Sequence, residues 1–297
     1  MDFQEFDEII DYFRKPYVLN KYGKKNFIIL KKFISELKEK NKEVSNLLEI
    51  ENKEWNREYN INKFYEILEK YKDIEEKSNQ KFGIGNAVAV LTGDPYLNLE
   101  LIIKAILSNC NIMFIVNPTL VNFNLYVISI MQDILQEENL DQRLISIVNE
   151  IDYKTKITKN KDVIDCIIVN KYYEEYAYFA KNTSSKVIYL DYGNINIYTD
   201  SEEYEENIDN IVSEVYKIDI DVYDYKINNI EEFLKKEKNN FIFNTAVIFS
   251  KDIKKCMRFY EAIKARNVFI NDFDITKIDI GLEIEELEFN KNLIIKK

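Results

Sequence analysis

Val88-Ala89-Val90-Leu91-Thr92-Gly93-Asp94-Pro95 closes one apolar run and opens an amphipathic stretch that reaches Asn109; Ile112-Met113-Phe114-Ile115-Val116 follows at once. Short apolar runs bounded by turn residues read as buried strands, and the stretch between them repeats at helical spacing. Strand, helix, strand in this order is a βαβ unit, which commits the chain to a parallel sheet.

Working outward, the same alternation continues. Ala87 to Leu91, Ile112 to Val116, Leu144 to Val148, Val163 to Val169 and Lys186 to Leu190 read as strands, and Leu97 to Asn109, Val121 to Leu135 and Tyr172 to Lys181 as helices. Upstream, Phe3, Phe6, Ile9, Ile10 and Phe13, then Phe27 to Leu37, then Ile61, Phe64, Tyr65, Leu68 and Tyr71 mark helices, with a loop at Lys81 to Gly85. Downstream come an acidic helix near Glu203 to Tyr216, a strand at Phe241 to Phe249, a helix at Lys251 to Lys264 and a strand at Val268 to Ile270. Leu287, Phe289, Leu293 and Ile295 alternate along the tail from Leu282 to Ile295, the period of a strand or hairpin arm. The expected fold is α/β and Rossmann-like: a mostly parallel sheet, helices on both faces, a helical N-terminal extension and a C-terminal strand arm.

Composition narrows the chemistry. The chain of 297 residues has no histidine, which removes the commonest general base and metal ligand together with every Ser-His or Cys-His pair. Its three cysteines, Cys110, Cys166 and Cys256, are widely spaced and sit in apolar or helical sequence, so they read as buried thiols of a reducing cytoplasm. With only six glycines, main-chain cradles for phosphate are scarce. Net charge is −11, and from Asp200 to Asp224 ten acids face one base, Lys217, a surface that repels a nucleic-acid backbone. No leader segment or membrane-length apolar run is read, and the expected setting is cytoplasmic, away from membranes.

Three segments then carry a resemblance: Val88 to Pro95 with the helix to Cys110-Asn111 and the strand to Val116; Lys186-Val187-Ile188-Tyr189-Leu190-Asp191-Tyr192-Gly193-Asn194-Ile195-Asn196-Ile197-Tyr198-Thr199-Asp200; and Phe243 to Ile253 with Tyr260 to Asn271. In this order they resemble the aldehyde dehydrogenase superfamily, its CoA-acylating branch more than the branch that oxidises free aldehydes. The resemblance implies a helical layer over 1–82, a nucleotide-binding-type domain over 83–216, a remnant of the catalytic-domain insertion over 217–240, a return to the α/β domain over 241–283 and an oligomerisation arm over 284–297.

The resemblance also locates candidate sites. The family's oxyanion-binding Asn falls on Asp94, whose carboxylate cannot donate unless protonated; it reads instead as a helix cap before Pro95. The phosphate turn, counted back from Gly193 and Asn194, falls on Lys171-Tyr172-Tyr173, where two rings replace glycines. Lys171, Gly193 and Asn194 are therefore the cofactor-binding candidates, and the family's ribose-binding Lys aligns with Val116 or Asn117. Asp191 takes the place of a catalytic Glu. The nucleophile loop falls on Lys217 to Tyr223, which has no cysteine, leaving Cys256, beside Lys254, Lys255 and Arg258, as the thiol candidate. Asp219, Asp221 and Asp224 lack the glycine and terminal Glu of a calcium loop, and no metal site is read.

Three function classes follow. The first is a non-catalytic scaffold, regulatory or interaction subunit without cofactor, forming a homodimer or a complex with a related active enzyme. The second is an NAD(P)- or CoA-dependent oxidoreductase with a rebuilt site. The third is a small-ligand binding module in the former cofactor crevice.

Overall fold

The computed structural model describes residues 3–15, 25–51, 57–72, 82–170, 173–190, 195–216, 222–226, 243–263, 265–273 and 288–289. The chain divides into two compact units, Met1–Leu190 with Leu282–Lys297, and Asp191–Gly281.

The first unit opens with α1 (Phe6–Phe13), α2 (Asn26–Glu39), α3 (Asn41–Glu51) and α4 (Arg57–Lys72). A two-residue strand β1 (Phe82–Gly83) follows and pairs antiparallel with β11 (Glu288–Phe289) of the tail. The core is an all-parallel sheet of β2 (Asn86–Val90), β3 (Asn111–Ile115), β4 (Ile145–Val148), β5 (Cys166–Asn170) and β6 (Lys186–Leu190), in the order β4-β3-β2-β5-β6. Helices α5 (Pro95–Leu107), α6 (Val121–Glu137), α7 (Tyr153–Lys159) and α8 (Tyr173–Asn182) connect these strands. A parallel sheet covered on both faces favours continuous apolar runs over alternation, and every residue of β3 and β4 is buried.

Helix α5 shows why the N-terminal layer exists. All 13 of its residues are buried, because α2 and α4 pack on the side away from the sheet. Of its two charged residues, Glu100 and Lys104, Glu100 is matched by that layer: Lys70 Nζ lies 2.9 Å away and the Tyr71 hydroxyl donates at 3.4 Å. Each fully enclosed Leu, Ile or Phe of this interface contributes about 1.5 to 3 kcal/mol.

Scarce glycine is met by asparagine. Helix α5 ends with Asn109 at φ 56°, Asn109 N–H donating to Ile106 O and Cys110 N–H to Ala105 O; α6 ends in the same way at Asn139, φ 57°. Both are Schellman endings, whose left-handed position glycine usually fills and asparagine tolerates.

The second unit has its own all-parallel sheet. It comprises β7 (Ile195–Thr199), β8 (Val222–Lys226), β9 (Phe243–Phe249) and β10 (Ala265–Ile270), in the order β10-β9-β7-β8. Helix α9 (Glu205–Tyr216) links β7 to β8, and α10 (Ile253–Ala262) links β9 to β10. Tyr198, Ala246 and Ile248 face Cys256 and Phe259 of α10 in one apolar cluster. The next residue of β9, Phe249, points to the opposite face, where Tyr204, just before α9, stacks on it at 5.5 Å. The crossovers run outward in opposite directions from the central β7–β9 pair, and helices on opposite faces are the right-handed solution.

Several expectations change. The α/β domain was read to residue 216 with a return at 241; the structure has β7 and β10 flanking β9 in the sheet of the second unit. Within the stretch read as an insertion remnant, Val222 to Lys226 forms β8, so Asp224 lies in a strand opposite Ile197 and not in a loop; Asp219 and Asp221 lie outside the described residues. Phe82 and Gly83, read as loop, are strand. Helices α3 and α7 went unread, α7 because Ile157 is its one buried residue. Of the tail arm, Glu288 and Phe289 are described, paired within the chain. Among the described residues no helix is long and apolar enough to cross a membrane.

Candidate functional site

In open parallel sheets, ligands enter where consecutive crossovers leave in opposite directions, beyond the carboxyl ends of the strands. The first unit has this switch point between β2 and β5, the second between β7 and β9.

At the first, the chain leaves β2 through Leu91-Thr92-Gly93-Asp94 and closes on itself. Asn98 Oδ1 accepts from Thr92 N–H at 3.0 Å, and Asn98 Nδ2 donates to Thr92 O at 3.0 Å and to Asn124 Oδ1 at 3.2 Å. Asp94 N–H donates to Thr92 Oγ1 at 3.0 Å, and the Asp94 carboxylate accepts from Tyr96 N–H at 2.8 Å. Asp94 is thus the side-chain N-cap of α5, with Pro95 in the first turn. Gly93 is hemmed in as well: a Cβ there would stand 3.0 Å from Thr119 Oγ1.

Neighbouring helix starts are treated alike. The N-cap of α6, Leu120, has no capping side chain, and Glu51 at the end of α3 takes its place: its carboxylate accepts from Asn122 N–H at 2.6 Å and Phe123 N–H at 2.8 Å. The first turn of α8 carries Glu174 and Glu175. Glu175 is 5% exposed and accepts from the Tyr153 hydroxyl, with Lys154 Nζ at 2.9 Å. A helix N-terminus attracts anions through bare N–H groups and its dipole. Here α5 and α6 each meet an internal carboxylate at their first N–H groups, and the first turn of α8 carries two acids.

The second switch point holds a charged network. Asp200, just beyond β7, accepts from Ser250 Oγ at 2.9 Å and from Lys255 Nζ at 2.7 Å. Burial alone would raise the Asp200 carboxyl, but the Lys255 and Ser250 hydrogen bonds outweigh it and hold the group below its usual range. Asn271, at φ 54° after β10, accepts from Ser250 N–H at 2.8 Å and donates to Ser250 O at 2.9 Å. Asp252 caps α10, accepting from Lys254 N–H at 2.9 Å.

Of the candidates read from the sequence, Asp94 is a cap and Cys256 a core thiol. Cys256 is fully buried, its Sγ 3.7 Å from Ser250 O, and burial, with Asp200 and Asp252 nearby, raises its pKa, opposite to the direction that makes a nucleophile. Asp94 and Cys256 belong to different units. Lys171, Tyr172, Asp191, Gly193 and Asn194 lie outside the described residues, as does the side chain of Tyr173. The sequence reading missed Glu51, Asn98, Glu175 and Ser250, and read Lys255 only as a cation beside Cys256, not as the partner of Asp200. Only Asp252-x-x-Lys255 after Ser250 left a local trace, a cap followed by a base one turn on. No group of three or more possible metal ligands occurs among the described residues.

No protein-family model matches the sequence, and no curated protein matches it. Solved structures do. An acetylating aldehyde dehydrogenase from Geobacillus thermoglucosidasius superposes with a TM-score of 0.68 at 11% identity, covering 98% of this chain and 96% of that one. Betaine aldehyde dehydrogenase from Staphylococcus aureus, solved with NAD+, gives 0.68 at 11% identity over 90% of this chain and 78% of that one. Glyceraldehyde-3-phosphate dehydrogenase from Methanocaldococcus jannaschii, solved with NADP, gives 0.66 at 14% identity over 98% and 94%. The fold is the one these aldehyde dehydrogenases share, as the resemblance implied.

Proposed function

We propose that this chain is a non-catalytic protein of aldehyde dehydrogenase fold that works in the cytoplasm as a scaffold, regulatory or interaction subunit. One observation carries the reading. Cys110, Cys166 and Cys256 are the only cysteines in the sequence, and each is 0% exposed. Thiohemiacetal chemistry needs a thiolate that substrate can reach, and a chain without histidine has no imidazole to activate another nucleophile. The carboxylates that take the first N–H groups of α5 and α6 support the same reading, because they stand where a dinucleotide phosphate would seek positive charge. The partner in this reading is a second copy or a related active enzyme, joined through an arm formed by residues 284–297.

The test is direct. Purified protein is incubated with acetyl-CoA or short aldehydes and either nicotinamide cofactor, and absorbance of the reduced cofactor is followed. No turnover above the blank is expected, and millimolar NAD, NADP or CoA should leave the melting midpoint unmoved. Turnover lost in Cys256→Ala would overturn the proposal and make the chain an oxidoreductase with a rebuilt site.

A further inference from the structure

Strand β4 is an edge of the first sheet, paired with β3 on one side and with no strand on the other among the described residues. Val148 O faces β3, accepting from Val116 N–H, so by the alternation of a strand Ile145 and Ile147 turn their main-chain groups outward. An edge of this kind is a template for any passing strand. Here its groups are taken. Ile145 N–H donates to Gln142 O, and Ile145 O accepts from Gln132 Nε2 of α6 at 2.7 Å. Ile147 N–H donates to Gln4 Oε1 at 3.3 Å, and Ile147 O accepts from Gln4 N–H at 3.2 Å. Gln4, two residues ahead of α1, thus gives and takes at Ile147 as a residue of an added strand does. Gln132 Nε2 also donates to Gln4 Oε1 at 3.3 Å, which joins the two closures.

What lies beneath is complementary to itself. Ile145-Ser146-Ile147-Val148 is uncharged, β-branched at three of its four positions, and free of Pro and Gly, the composition of a segment that pairs strongly. Without the two glutamines it offers a donor, Ile147 N–H, and an acceptor, Ile145 O. Set antiparallel to a second β4 about a two-fold axis at Ser146, Ile147 of each copy stands opposite Ile145 of the other in a hydrogen-bonded position. Each freed donor then meets the other copy's freed acceptor, as an isologous contact requires.

We infer that Gln4 and Gln132 form a lock on β4, and that the edge they cover is a docking site for β4 of a second copy of this chain, antiparallel about Ser146. The contact is separate from the arm of residues 284–297. It stays closed while the lock is in place, and opening it runs the five-stranded sheets of two molecules into one.

Gln4→Pro with Gln132→Ala removes every bond of the lock from the full chain, and light scattering over a concentration series compares its mass with that of wild type. The variant is expected to reach at least twice the wild-type mass at equal concentration. Gln4→Pro alone, which spares the buried Gln132, should do the same at higher concentration. A capped peptide of residues 142–150 should bind the double variant and not wild type, and in excess should hold the mass at the wild-type value. Hydrogen exchange separates docking from unfolding. The Ile147 amide should exchange about tenfold or more faster in the dilute variant, as for one lost hydrogen bond, and regain protection as the mass rises, while the β3 amides of Ile112 to Ile115 stay protected throughout. A mass equal to wild type at every concentration in both variants, a peptide that does not distinguish variant from wild type, or association that proceeds only with β3 unprotected would overturn the inference.

Discussion

The two switch points close in different ways. In the first unit the gap beyond β2 is tied by amides: Asn98 serves Thr92 three times and Asn124 once, with Asp94 as a single capping carboxylate. In the second, the gap beyond β7 is tied by an ion pair, Asp200 with Lys255, braced by Ser250 and Asn271. Both occupy the place where an open sheet receives ligand. The amide ties of the first closure hold regardless of protonation, and the second depends on a titrating ion pair.

The largest effect should come from the amide side. Asn98 is fully buried, and Asn98→Ala strands the Thr92 N–H and carbonyl without their partners. A loss of about 2 to 4 kcal/mol is expected in urea denaturation, with a similar loss at neutral and acid pH. A strongly pH-dependent loss would erase the contrast between the closures.

Asp200→Asn should cost less, about 1 to 2 kcal/mol at neutral pH, since Lys255 is partly exposed and water screens the pair. Here the sign is fixed by the depressed folded-state pKa. The stabilisation is fully present above the unfolded value of about 3.9 and is lost as pH falls through the lower folded value. Denaturation curves of wild type and variant should therefore converge in acid, and parallel curves down to low pH would show that Asp200 acts through shape alone.

The smallest effects belong to the caps. Asp94→Ala should lower stability by about 1 kcal/mol, and Glu51→Gln by about 0.5 kcal/mol, because a neutral amide keeps an acceptor but loses the attraction to the α6 dipole. Thermal melts in low salt would resolve the order, and a larger loss at Glu51 than at Asp94 would reverse the ranking of local over distant caps.

What could be read from the sequence was whatever is local. The parallel strands announced themselves because both faces are covered, so Ile112 to Val116 is apolar without a break. Asp94 before Pro95 spelled its cap in two adjacent residues. Glu51 could not be read in this way: it ends a helix whose own dipole disfavours it, and its partners lie 71 and 72 positions away. The partners of Asp200 come 50 and 55 positions later. The boundary between units was hidden for another reason. Strands β6 and β7 are separated by four residues that look like one continuous motif, and nothing in a single strand tells which sheet it will join.

Helix α5 sets the order in which the molecule can be completed on the ribosome. The apolar stripes of α2 and α4 emerge first and have no lasting surface to cover until Pro95 to Leu107 has followed them out. Asn26 shows the delay on a single bond, since its amide donates to the carbonyl of Leu107, 81 residues later. The earliest synthesised layer is therefore finished late, and through that interval its exposed stripes are what a chaperone would meet.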